Sequence, residues 1–408
     1  MRPEEVIQQF LASSAQPLLL EPGEEPYPLE PGSFALDWHG TRLLFQVWDE
    51  RRNLVRRVLG VEQERPGRLT LAVERFPRRT GTVELVDSAR PAARAATRRS
   101  ARHSFREEFR RYLGRQFPGW RIAELSTEPD LEHSLSPAYS RAFLKQGGLG
   151  WAAIGAPIGE SSPAGALSFG LIWTDYLRRR ERRVTVEGLA LFLPAGRHRA
   201  TALRLPWIHP RALKTALFLY SDDAQEELLD PRDYGNLDTR LDVPRPAAGT
   251  AGDKPEQILE ARIRHNLGVV HPTLLDAPVY GQAPTFAAGE RDVMDLLACD
   301  RYGRLAVVEL KASADPHLPL QALDYWMRVR WHAARNEFAA RGYFPGVPLA
   351  ADPPRLFLVA PALEFHPTTE TMLRFLAPEI EVERVGLAVE WKQRPRVVFR
   401  AQGAERPA

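Results

Sequence analysis

Asp295, Glu309 and Lys311 are the residues of this 408-residue chain whose types and spacing best suit chemistry. Glu309-Leu310-Lys311 closes an apolar run, Leu305-Ala306-Val307-Val308, and Asp295 stands upstream at the head of Leu296-Leu297-Ala298-Cys299. Between the two runs, Asp300-Arg301-Tyr302-Gly303-Arg304 has the Asp and Gly composition that joins antiparallel strands. Side chains alternate across a strand, so Glu309 and Lys311 share one face and Leu310 points to the other. A hairpin would bring Asp295 onto that same face. Two carboxylates and a lysine converging at a sheet edge suit a hard divalent cation and a polarised water.

The lysine is informative because the chain otherwise relies on arginine. Of 55 basic residues only Lys145, Lys214, Lys254, Lys311 and Lys392 are lysines. A compact ammonium fits beside a water or phosphate oxygen where a planar guanidinium does not.

Flanking elements must position these groups. Pro255 to Ile263 reads as a helix with apolar Ile258, Leu259 and Ile263 and proline at its first position. Downstream, a helix is expected from Pro319 to about Ala340, with Gln321 and Tyr325 four apart on one face. A strand follows at Leu356 to Ala360.

In this order, the stretch from Glu256 to Tyr325 resembles the PD-(D/E)xK nuclease superfamily, in a form similar to NucS-type and RecB-type nuclease domains. The matching residues are Glu256, Asp295-Leu296-Leu297, Gly303, Glu309-Leu310-Lys311 and Gln321-x-x-x-Tyr325. One departure is that Val293-Met294, and not proline, precedes the aspartate. The resemblance implies Mg²⁺ or Mn²⁺ held by Asp295, Glu309, the Leu310 carbonyl and Glu256, with Lys311 as the catalytic lysine. It implies that Gln321 and Tyr325 support the site and the nucleic-acid backbone. Glu260 and Asp292 are rivals of Glu256 and Asp295. The activity implied is metal-dependent hydrolysis of phosphodiester bonds, most simply as a DNA endonuclease. The alternative is a nuclease fold that binds nucleic acid, or senses a ligand, without cutting.

Val243 to Asp253 is rich in proline, glycine and small residues and reads as a linker. The expected fold class is α/β, organised as an N-terminal α+β region (1–242), a linker (243–254) and a restriction-endonuclease-like mixed sheet flanked by helices (255–408). In the N-terminal region, Phe34 to about Glu74 reads as antiparallel strands. A helix is expected from about Ser100 to Phe117, with an apolar stripe of Phe105, Phe109, Leu113 and Phe117. Arg102, Arg106, Arg110 and Arg111 on its other faces read first as the solvated side of an ordinary amphipathic helix, and alternatively as a patch of candidate phosphate contacts. Ala152–Ala156, Leu167–Tyr176 and Val184–Leu193 read as buried segments. Asp175 and Glu187 faintly echo the C-terminal site, but Leu189 stands where a lysine would be needed, so no second active site is expected; a degenerate, nuclease-like copy is the alternative.

Composition bounds the rest. A single cysteine, Cys299, excludes a disulfide framework and a cysteine-based zinc site. No apolar run is long enough for a membrane span, and the acidic start (Glu4, Glu5) is unlike a secretory leader. A cytoplasmic protein without membrane contact is the expectation. A net charge of +3 permits a nucleic-acid partner and does not demand one, and a homodimer is compatible with everything above.

Overall fold

The computed structural model describes residues 2–22, 26–48, 53–75, 79–158, 165–221, 226–233, 241, 254–287 and 290–405. The expected linker at 243–254 lies outside the described residues apart from Lys254. The protein is mixed α/β, with three sheets and eight α-helices among the described residues.

Two compact units divide the chain. The first comprises residues 1–120 with short pieces at 125–128 and 157–160; the second takes 121–124, 129–156 and 161–408. The division therefore falls near residue 120, and the expected boundary at 243–254 lies inside the second unit. The physical reason is a shared core. Phe143, Trp173 and Leu191 belong to the same buried cluster as Tyr280, Val307 and Trp326.

The first unit holds α1 (Pro3–Ser13), seven strands and α2 (Pro91–Gln116). The strands are β1 (Pro17–Leu20), β2 (Tyr27–Pro28), β3 (Phe34–His39), β4 (Arg42–Trp48), β5 (Asn53–Arg65), β6 (Arg68–Arg75) and β7 (Arg79–Asp87). They form an antiparallel sheet in the order β2-β1-β7-β6-β5-β4-β3. Alternation makes it work: Leu43, Phe45 and Val47 of β4 are buried, and the residues between them are half-buried. In α2, Phe105, Phe109 and Leu113 are buried as the stripe requires.

The second unit starts with β8 (Arg121–Ser126), β9 (Ser140–Gln146), β10 (Leu149–Gly155), α3 (Ala166–Arg180), β11 (Thr185–Pro194), α4 (Arg199–Arg204), β12 (Lys214–Tyr220) and β13 (Glu226–Leu229). It continues with α5 (Pro255–Arg264), β14 (Tyr280–Ala287), β15 (Glu290–Cys299), β16 (Leu305–Leu310), α6 (Leu318–Ala333), α7 (Glu337–Ala340), β17 (Arg355–Pro361), α8 (Thr369–Leu373), β18 (Val382–Leu387) and β19 (Val397–Gln402). Two six-stranded sheets result, ordered β13-β12-β11-β10-β9-β8 and β14-β15-β16-β17-β18-β19. In the latter, β16, β17 and β18 run parallel, and antiparallel strands flank them on both sides. Helices cover both faces of the parallel centre, so every residue of β16 is buried. The helix expected to reach Ala340 stops at Ala333; Asn336, at φ +55°, breaks the run before α7.

Candidate functional site

The hairpin β15–β16 sets the candidate site. Leu296 pairs with Val308 and Cys299 with Leu305, so one further step along the ladder sets Asp295 opposite Glu309. The turn between the strands depends on its ends. The Asp300 carboxylate accepts from the amides of Tyr302 and Arg304 at 2.9 Å each. Gly303 sits at φ +85°, and a Cβ there would strike the Pro348 carbonyl.

At the strand end, Asp295 Oδ2 accepts a 2.8 Å hydrogen bond from the Leu310 amide. The Lys311 amide continues the parallel ladder by donating to the Val359 carbonyl at 3.0 Å. Glu309 is 1% exposed. Lys311 is half-buried, its ammonium 3.7 Å from the Asp315 carboxylate. Burial pushes the Asp295 carboxyl up to about 7; the Leu310 amide and Lys311 ammonium oppose the rise, and Glu260 and Glu256 add to it. A carboxyl desolvated and crowded by like charge gains from a cation beside it.

Helix α5 packs on β15 and β16 through buried Leu259 and Ile263. Its two glutamates are placed in the reverse of the expected order. Glu256 is exposed in the first turn, whereas Glu260 is buried, 3.3 Å from Arg264. Of the two, Glu260 weighs more on Asp295. The reason is the helix phase, because Glu260 lies beside Leu259 and one turn before Ile263 on the packed side. The side chain of Asp292 lies outside the described residues.

On α6, the Gln321 amide donates to the Tyr325 hydroxyl at 3.1 Å, so the pair shares one helix face, and Tyr325 is fully buried. Asp315 joins the site without belonging to any of the motifs above. Its carboxylate accepts from the His317 amide at the start of α6 while also facing Lys311, so it links the helix start to the lysine. A short polar residue just before a helix is the signal that marks it.

The arginine positions belong to the other compact unit. Arg106 and Arg110 both pair with Glu107, at 3.1 and 3.3 Å, and Arg102 is half-buried. Arg111 is exposed. The faint echo at Asp175 and Glu187 dissolves in the structure. Asp175 sits on α3 paired with Arg179, and Glu187 sits on β11 bound to Lys214 at 2.6 Å. Leu189 is a fully buried core residue.

Among the described residues, no group of three or more His, Cys, Asp and Glu side chains is arranged to hold a metal ion. What the site offers is two carboxylates and the Leu310 carbonyl, all hard oxygen donors. Mg²⁺, which dehydrates reluctantly, is commonly held by one or two carboxylates and keeps several waters. The donor set fits such an ion. Among the described residues no helix is long and apolar enough to cross a membrane. No protein-family description matches the chain, and no curated protein matches it either.

Proposed function

We propose that the C-terminal half of the second unit is a PD-(D/E)xK-type nuclease that hydrolyses phosphodiester bonds, with DNA as its substrate and Mg²⁺ or Mn²⁺ as its cofactor. The observation that carries this reading is the ladder position of Asp295 opposite Glu309, with the Leu310 amide and Lys311 at the same strand end. Asp295, Glu309 and the Leu310 carbonyl would hold the ion, with Glu260 in preference to Glu256 beside them. When bound, the ion supplies Lewis-acid polarisation of the scissile phosphate and of a water.

The chain's own residues do the remaining work. Lys311, held by Asp315, orients the attacking water and offsets charge growing on the phosphoryl oxygens. Gln321 and Tyr325 brace the helix that lies over this strand end. Arg111 and its neighbours on α2 supply sequence-independent affinity for the backbone.

The test is to incubate the protein with labelled single-stranded, duplex and branched DNA and RNA in Mg²⁺ and in Mn²⁺. Cleavage lost in chelator and in Asp295→Asn is the expected result. Binding without cleavage in either metal would move the assignment to a non-cutting nucleic-acid-binding protein.

A further inference from the structure

The two sheets of the second unit follow one plan. Along the chain, β9, β10, α3, β11, α4, β12 and β13 repeat as β15, β16, α6, β17, α8, β18 and β19. Strand directions repeat too. Each series runs antiparallel, parallel, parallel, antiparallel across its four strand pairs. The hydrogen-bond register aligns them residue by residue. Ala156 donates to the Phe192 carbonyl and Lys311 to the Val359 carbonyl, each at 3.0 Å and each just beyond its strand. Both neighbouring strands then end in proline, Pro194 and Pro361.

The copies face each other across reciprocal contacts. Ile208 bridges Leu376 in an antiparallel pair. Flanking it, His209 donates to the Phe375 carbonyl and Ala377 to the Trp207 carbonyl, both at 2.8 Å. Arg178 lies over the Phe375 ring at 5.3 Å, and Arg330 lies over the Trp207 ring at 4.6 Å. These arginines hold the same position in α3 and α6, and these aromatics precede β12 and β18 by the same seven residues. Helix α3 packs on α8, and α6 on α4. Such mutual exchange is the signature of a two-fold interface, where each side presents the same patch.

In the first copy the chemistry is gone. Register sets Arg141 at the place of Asp295, Ile154 at that of Glu309 and Ala156 at that of Lys311. Aligned helix starts set Phe169 and Trp173 at Gln321 and Tyr325.

The geometry points to a chain that is its own dimer, with one cation centre per particle and one phosphodiester break per encounter. This rests on the nuclease reading. In each event one water adds to one phosphorus, one P–O bond to the leaving sugar oxygen breaks, and that oxygen gains a proton as the water loses one. A symmetric pair of live sites would break both strands of a duplex together, whereas a single live half leaves a nick.

The experiment combines three readouts on the full chain: sedimentation velocity, Mn²⁺ uptake, and cleavage of supercoiled plasmid. Expected are a particle of one chain (46.0 kDa), Mn²⁺ uptake abolished by Asp295→Asn, and nicked circles accumulating before linear product at a rate first order in protein. A two-chain particle, residual specific Mn²⁺ uptake in Asp295→Asn, or linear product without a nicked intermediate would each overturn the inference. If Mn²⁺-loaded protein cuts nothing, the nuclease reading fails, and with it the one-break claim. The particle mass and the Mn²⁺ uptake then decide the single centre by themselves.

Discussion

Replacing Asp295 by asparagine keeps the size of the side chain and an oxygen able to accept from Leu310, and removes a charge that the fold disfavours. In the folded protein this carboxyl titrates at about 7, against an ordinary 3.8, because burial and the nearby glutamates penalise its ionised form. Between those two pH values the folded state holds a proton that the unfolded chain has released, so stability falls as pH rises and the loss is complete above about 7. About three pH units at about 1.4 kcal/mol each amount to roughly 4 kcal/mol. The amide in Asp295→Asn does not titrate, so in chelator the variant should gain on wild type from pH 4 to pH 8 by up to that amount. For a body this large the gain corresponds to a melting-temperature difference on the order of 10 °C. Mn²⁺ should close most of that gap, since an ion at about a hundred times its Kd stabilises the wild type by about 2.7 kcal/mol and leaves the variant where it was. Thermal unfolding at pH 5 and pH 8, with EDTA and with Mn²⁺, reads all of this. If the difference between the two proteins in EDTA is the same at pH 8 as at pH 5, Asp295 is not a crowded carboxylate held protonated by its burial.

Other outcomes follow from the same geometry. Lys311→Ala should lower cleavage by at least about a hundredfold while leaving Mn²⁺ affinity in calorimetry within a few-fold; cleavage at the wild-type rate would remove the lysine from the mechanism. Glu260→Gln should weaken Mn²⁺ binding and Glu256→Gln should not, and the reverse ranking would restore the first-turn glutamate. Asp324→Ala removes the carboxylate bonded to buried Arg204 at 2.7 and 2.8 Å, and should cost about 3–5 kcal/mol in urea unfolding; a loss under about 1 kcal/mol would mean the pair contributes little. Arg111→Ala should reduce the salt slope of duplex-DNA binding by about 0.9, and Arg106→Ala by less because Glu107 already holds it; equal effects would show that the ion pair is immaterial.

Much of the C-terminal architecture was legible in the residues. Alternation and turn chemistry located β15, β16 and their hairpin, and proline at the first position located α5. Spacing alone paired Gln321 with Tyr325. Phase is not legible in this way: Glu256 and Glu260 lie four apart on one helix face, and only packing against the sheet ranks them. The domain boundary was obscured for another reason. A proline- and glycine-rich stretch marks a chain connection, yet the surfaces on either side of it can share one core, as Trp173 and Trp326 do. The repeated plan left almost no trace in residue types, because a buried parallel strand asks only for apolar side chains, and Ile154 satisfies that as well as any other.

The reciprocal bridge between Ile208 and Leu376 also has a meaning in time. What the first copy presents to the second, including Arg204, Trp207 and Ile208, leaves the ribosome well before its covering exists. At roughly 5–20 residues per second, the ~100 residues that separate β12 from α6 and the ~150 that separate it from α8 take on the order of five to thirty seconds to synthesise. Through that interval the nascent first copy is half of an interface without its other half. The fold therefore trades the search for a partner chain, which dilution would slow, for a wait of fixed length set by translation.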